Sequence, residues 1–243
     1  MRRVLFRWHG KPVSSYRAML YVGLVFGVAI GHWAATRAGL PAARVLAATI
    51  ILLVPALAGA RLLFVASHWT RYRRTPSQIW NRSEGGMAMY GGLLLAVPAS
   101  VPLLSAFGLP FWSFWDIAII TILIGMAFTR VGCLLNGCCA GRPTTSRFGI
   151  YLADHRGVWQ RRIPTQLFEA AWGLVVLALS QLLVGPETPA GTRFLSAVAA
   201  YGLGRVVLER LRERPDRIGP VALQGALSFV FVAAAALALM LVR

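Results

Sequence analysis

Apolar residues fall along this chain in seven long blocks, at about 16–36, 43–68, 87–109, 114–135, 166–184, 194–211 and 218–241. Their lengths suit helices that cross roughly 30 Å of hydrocarbon at about 1.5 Å per residue. Polar residues gather between the blocks. The longest polar stretch, about 30 residues, separates the fourth block from the fifth and predicts a loop at about 138–165. The pattern predicts an all-α polytopic membrane protein with about seven transmembrane helices, a single domain over residues 1–243.

Several polar side chains interrupt the blocks, where each costs free energy unless it has a partner. The stretch Gly125–Thr144, GMAFTRVGCLLNGCCAGRPT, carries Arg130 at the close of a run, Trp115–Thr129, broken only by Asp116. Its glycines let backbone N–H groups approach a ligand closely. Arg61 lies well inside the second block, either snorkelling or held in an ion pair or site. Glu169, at the start of the fifth block, either complements a helix dipole or belongs to a site. Arg205 and Glu209, four apart, share one helical face. They form either a plain pair near a span end or an arginine facing a polar cavity with the glutamate orienting it. Tyr16 and Tyr90 stand near span ends, where tyrosine is common. Tyr90, in GGMAMYGGL, is flanked by two glycine pairs that permit close approach.

Composition supports the membrane reading, with 57% hydrophobic residues, above the range usual for a soluble domain of about 45–50%. The net charge of +17 rests on 24 Arg and one Lys against 8 acids. Nucleic acid would need a basic face on a soluble fold, and the spans leave none. Anionic lipid headgroups fit better, since guanidinium binds phosphate bidentately. The amino terminus, MRRVLFRWHGK, is basic like that of a signal peptide, but the block from Tyr16 is long and lacks a clear cleavage site, so it is expected as the first span. Seventeen cationic residues lie on the amino-terminal side of the spans against four on the other, which by the positive-inside rule predicts a cytoplasmic amino terminus.

Cys133, Cys138 and Cys139 leave alternatives open. They could be small buried residues, or Cys133 could pair with Cys138 or Cys139 across a turn. A thiolate could also be favoured by Arg130 and Arg142. The C-x4-C-C spacing has no CxxC pair and no close histidine, His155 being nearest, so a metal is not expected.

Taken in order, YRAMLYVG, GARLLFV, IWNRSEGGMAMYGGL, TRVGCLLNGCCAGRPT, PTQLFEAAWG, YGLGRVVLERLRERPD and GPVALQGALS resemble the bacterial phosphatidylglycerol–prolipoprotein diacylglyceryl transferase family over most of the chain. The third is similar to the family's W-x-GGM-x-x-H-GGL element, and the fourth to its signature G-R-x-G-N-F-x-N-G-E-x-x-G. The resemblance implies a seven-span inner-membrane enzyme with its site near the outer face. It would move a diacylglyceryl group from phosphatidylglycerol to the thiol of a prolipoprotein lipobox cysteine, releasing glycerol phosphate.

By that resemblance, Arg130 and Arg205 match the arginines associated with the lipid phosphate, and Glu209 the acid beside the second. Tyr16 matches the tyrosine of the first span, and Asn136 and Gly141 the signature's second asparagine and last glycine. Arg61 and Cys138 complete the expected substrate-binding set, with Tyr90 among the catalytic residues. The partners are phosphatidylglycerol, a lipobox peptide and membrane lipid, with no nucleic acid and no metal or other cofactor.

Three departures stand out. Tyr90 replaces the family's histidine, Cys133 the signature's first asparagine and Cys138 its glutamate. A phenol of pKa about 10 is a poor base near neutral pH. The alternatives are therefore a paralogue that binds anionic phospholipid or lipoprotein without turnover, or a transferase with a different acceptor. A transporter would favour an internal repeat, and the two halves have none. The family orientation sets the Arg-rich loops outside, against the charge rule.

Overall fold

The structure is a computed structural model that describes residues 4–79, 88–153, 157–185, 187–213, 217–218 and 221–242. Its chain runs as follows: strands β1 (Val4–Trp8) and β2 (Lys11–Ser14), then helices α1 (Ser15–Arg37), α2 (Ala42–Ser67), the short α3 (Trp69–Tyr72), α4 (Met89–Phe107) and α5 (Phe111–Asn136). Strands β3 (Ile150–Ala153) and β4 (Trp159–Arg162) follow, then α6 (Thr165–Leu183), α7 (Thr192–Glu209), β5 (Arg217–Ile218), β6 (Val221–Ala222) and α8 (Leu223–Val242). The expected all-α membrane architecture holds, and the strands form three small antiparallel pairs in the connections. The predicted polar loop contains one of them, with Ile150 opposite Arg162 and Ala153 opposite Trp159.

Each long apolar block becomes a long helix. Five of these, α1, α2, α4, α5 and α6, are long and apolar enough to cross a membrane. In α8 the apolar stretch is Gly225–Met240. α7 carries Arg193, Arg205 and Glu209 within its 18 residues, so its hydropathy is lower than its length would suggest. The charges that weaken this span are those that build the site described below.

α5 is the axis of the bundle, and its buried face supplies Phe114, Trp115, Ile117, Ile119, Ile120 and Leu123 to the core. α1 packs against it through a stripe of small residues, Gly23, Gly27, Gly31 and Ala35. A Cβ added at Gly27 would stand 2.7 Å from the Thr121 carbonyl oxygen, so only glycine admits this approach. In return Thr121 Oγ1 donates to Gly27 O at 2.9 Å. α2 and α4 cross where Gly59 meets Gly91. The helices alternate in direction, so α1, α4, α6 and α8 start, and α2, α5 and α7 end, on one side. The β pairs lie on that side too. The other side holds short connections, closed in part by Asp116, which accepts from Gly191 N and Phe194 N, both at 2.7 Å, at the start of α7.

Candidate active site

Three helices bring charge together where α5 ends, α6 begins and α7 ends. Arg130 reaches from the last turns of α5 to Glu169 on the first turns of α6, Nε to Oε2 at 2.5 Å. Arg205 of α7 binds the other oxygen of the same carboxylate and also pairs with Glu209, one turn on, at 2.6 Å. Arg212, just beyond α7, approaches Glu209 at 3.5 Å. Among the described residues the network holds three guanidinium groups and two carboxylates, one positive charge in excess. Glu169, Arg205 and Glu209 have side chains no more than 4% exposed, whereas Arg130 is 14% exposed and is the open edge of the array. Tyr201, one turn before Arg205 on the same face, lies against Arg130 and Glu169.

The turn after α5 is built by glycine. Gly137 ends the helix at φ 75°, and Cys139 follows at φ 60°. The chain doubles back, and Cys138 N donates to Cys133 O at 3.1 Å. The returning strand is pinned by α6, with Gln166 Nε2 donating to Cys138 O at 2.8 Å and Thr165 Oγ1 to Cys139 O at 3.0 Å. Asn136, the last residue of α5, stands beside the Cys138 thiol. Gly141 packs so closely on Ile163 and Thr165 that a Cβ would stand 2.9 Å from Thr165 Cγ2. It also bridges to Arg212. Arg142 N donates to Leu211 O at 2.9 Å, so the signature segment is held between the start of α6 and the end of α7.

The three cysteines are free, in keeping with small buried thiols rather than with a Cys133 disulfide. Their sulfurs nevertheless converge, all within 4.8 Å of one another. The spacing gives no hint of this, because the convergence depends on the left-handed residue at 137. Cys139 is held well below the ordinary thiol range, because the neighbouring Cys133 and Cys138 thiols and the guanidiniums of Arg212 and Arg130 favour its charged form. Tyr16, on the first turn of α1, faces the same group of Cys133, Cys138 and Arg130.

Two further expected residues sit differently. Tyr90, buried on α4, makes a 2.5 Å hydrogen bond with Ser228 of α8 and stacks on Phe231 with ring centroids 4.9 Å apart. It lies beside Tyr201, Arg205 and Glu209, at the flank of the network. Arg61 is also buried, but its described contacts go to the connection after α3. Its Nε donates to Ile79 O at 2.7 Å and Nη2 to Gln78 O at 3.0 Å, with Tyr72 Oη at 3.3 Å. The guanidinium also stands over the rings of Phe64 and Tyr72. Most of the IWNRSEGGM element, Trp80 to Met87, lies outside the described residues, as do His155, Gly219 and Pro220.

Glu169, Tyr201, Arg212 and Gln166 belong to the site although the motifs did not assign them. One signal for them exists in the sequence. Tyr201, Arg205 and Glu209 repeat every four residues and Arg212 follows three later, while Gln166 and Glu169 are three apart. Each set marks a single polar face on an otherwise apolar helix.

Known proteins resemble this chain over nearly its whole length. A family profile described as prolipoprotein diacylglyceryl transferase matches residues 3–241. A protein of Bacillus cereus (strain G9842) named phosphatidylglycerol–prolipoprotein diacylglyceryl transferase is 31% identical over 230 residues, 91% of this chain and 84% of the relative. One of the same name from Bacillus anthracis is 30% identical with the same coverage. With its signature segment clamped between the very helices that carry the charged network, this chain belongs to the prolipoprotein diacylglyceryl transferase family.

Proposed function

We propose that this protein transfers a diacylglyceryl group from phosphatidylglycerol to the lipobox cysteine thiol of a prolipoprotein. The observation that carries the reading is the buried Arg130–Glu169–Arg205 bridge, a network with one positive charge in excess and an open edge at Arg130. A lipid phosphate supplies the missing negative charge. In the reaction the lipobox thiol gives up its proton to water, and the resulting thiolate sulfur forms a bond to the glycerol carbon that bears the phosphate. The carbon–oxygen bond breaks, and its electron pair leaves on the phosphate oxygen of glycerol phosphate. Charge therefore grows on that oxygen as the bond breaks. Guanidinium groups already fixed in a low-dielectric site stabilise it without reorganising.

In this reading Arg130 and Arg205 hold the phosphate, and Glu169 and Glu209 keep both guanidiniums in place. Asn136, Cys138 and Gly141 shape the turn beside them, with Tyr16 at its side. Arg61 positions the connection that leads into α4. The expected effect of Arg130→Ala is loss of transfer of labelled diacylglyceryl to a lipobox peptide by about 10²–10³-fold. Well-folded wild type that binds phosphatidylglycerol but transfers nothing would overturn the reading. It would support the second one, a binding paralogue, which is favoured by the commitment of Tyr90 to Ser228 and Phe231.

The protein is a multi-pass membrane protein. We place it in the inner membrane with the site at the outer side, where the family resemblance sets it. Labelling of Phe148→Cys, an exposed position near β3, by a membrane-impermeant maleimide in intact cells tests this in a background without native cysteines. No labelling until the membrane is permeabilised would reverse the orientation.

A further inference from the structure

We propose that Cys133, Cys138 and Cys139 form a three-thiolate site for a thiophilic closed-shell cation of the Cu(I), Zn(II) or Cd(II) kind. The ligand geometry is the first support. Three thiolates about 2.3 Å from a common ion stand about 4 Å apart when they surround it in a plane. The three sulfurs here already lie within 4.8 Å of one another, so closing on an ion needs shifts below about 1 Å.

The backbone is built for that convergence. Cys133 points from the last turn of α5, and the left-handed turn at Gly137 folds Cys138 and Cys139 back over it. Cys139 itself holds φ 60°, a conformation non-glycine residues rarely adopt and one that tends to persist where the surroundings enforce it. Those surroundings are Gln166 and Thr165, which grip the carbonyls of Cys138 and Cys139. A set of side chains whose backbone is fixed from outside is what a metal site requires.

The count of sulfurs points the same way. Neighbouring Cys138 and Cys139 resist a disulfide with each other, and Cys133 can pair with only one of them. Three thiols leave one over as a redox pair, whereas they form a trigonal set for Cu(I), or three of the four ligands of Zn(II) or Cd(II) with a fourth position for water. Charge also fits. Three thiolates and a divalent ion carry one net negative charge, and the groups that act on Cys139 from outside the cluster include the guanidiniums of Arg212 and Arg130. Cys133 is buried and the other two are half-buried, so the ion would be shielded yet reachable.

The test uses the full-length protein in detergent, reduced and freed of metal, with Cd2+ as the probe. One Cd2+ per chain should bind, with thiolate-to-cadmium charge-transfer absorption in the ultraviolet. All three cysteines should be protected together from alkylation, and Zn2+ should displace the probe. Cys133→Ser, Cys138→Ser and Cys139→Ser should each weaken binding by roughly tenfold or more. Alkylation at unchanged rates with Cd2+ present would overturn the proposal. So would the same absorption in the triple serine variant, or a disulfide that forms as readily with Zn2+ as without. If the variants fail to fold, thiol protection in the wild type decides the matter alone.

Discussion

At one end of α5, Asp116 accepts two backbone N–H groups at the start of α7; at the other, Arg130 takes a carboxylate that Arg205 also claims. Both are charged groups on the same helix, placed at opposite sides of the bundle. Asp116 is answered by fixed peptide dipoles and so behaves as a staple that closes the far connection. The charges around Arg130 are answered, among the described residues, mainly by other ionised side chains, and the balance is incomplete. Among the described residues, Glu209 Oε1 and Gln166 Oε1 are buried without a hydrogen-bond partner. A polar group satisfied by backbone serves the architecture. A cluster that leaves charge and acceptors unspent is arranged for something that arrives later.

That contrast can be broken by removing one partner at a time. The largest effect is expected from Glu169→Ala, which strands Arg130 and Arg205 in a buried site. Breaking such a pair costs about 3–5 kcal/mol, so a thermal shift in detergent should show a much less stable protein as well as lost transfer. Glu169→Gln should restore part of the stability but little of the transfer, since the arginines lose their shared counter-charge. Next comes Asp116→Ala, which leaves two N–H groups at the start of α7 without their acceptor. It should lower stability by about 1–3 kcal/mol, while transfer per folded molecule stays near wild type. Equal loss of transfer from Asp116→Ala would erase the distinction between the two ends.

The smallest effect is expected from Tyr90→Phe. Its hydroxyl holds Ser228, so the change should cost about 1 kcal/mol of stability and less than tenfold in transfer. A larger fall in transfer without a matching fall in stability would make Tyr90 a proton-handling group. Tyr90→His should then raise the rate.

The membrane helices were legible in the sequence because length and hydropathy are properties of one segment at a time. The Arg205–Glu209 pair was legible for the same reason, since four residues set it on one face. Glu169 was ambiguous because its role is tertiary: the sequence places it on a first helical turn, but only packing sets it between arginines from α5 and α7. Arg61 was also ambiguous. An arginine deep in a span demands partners without naming them, and among the described residues two carbonyls of the segment after α3 and Tyr72 of α3 engage it. The cysteine cluster was hidden because positive φ angles at Gly137 and Cys139 decide where the sulfurs point.

The sharing of Glu169 also bears on how this protein can change over generations. One carboxylate serves arginines on two other helices, so α5, α6 and α7 are not free to drift separately at this depth. A lineage that lost the acid would have to replace both arginines almost at once, passing through intermediates that fold poorly. The shared side chain ties three segments into one heritable unit, and substitutions at positions 130, 169 and 205 should rise and fall together among relatives.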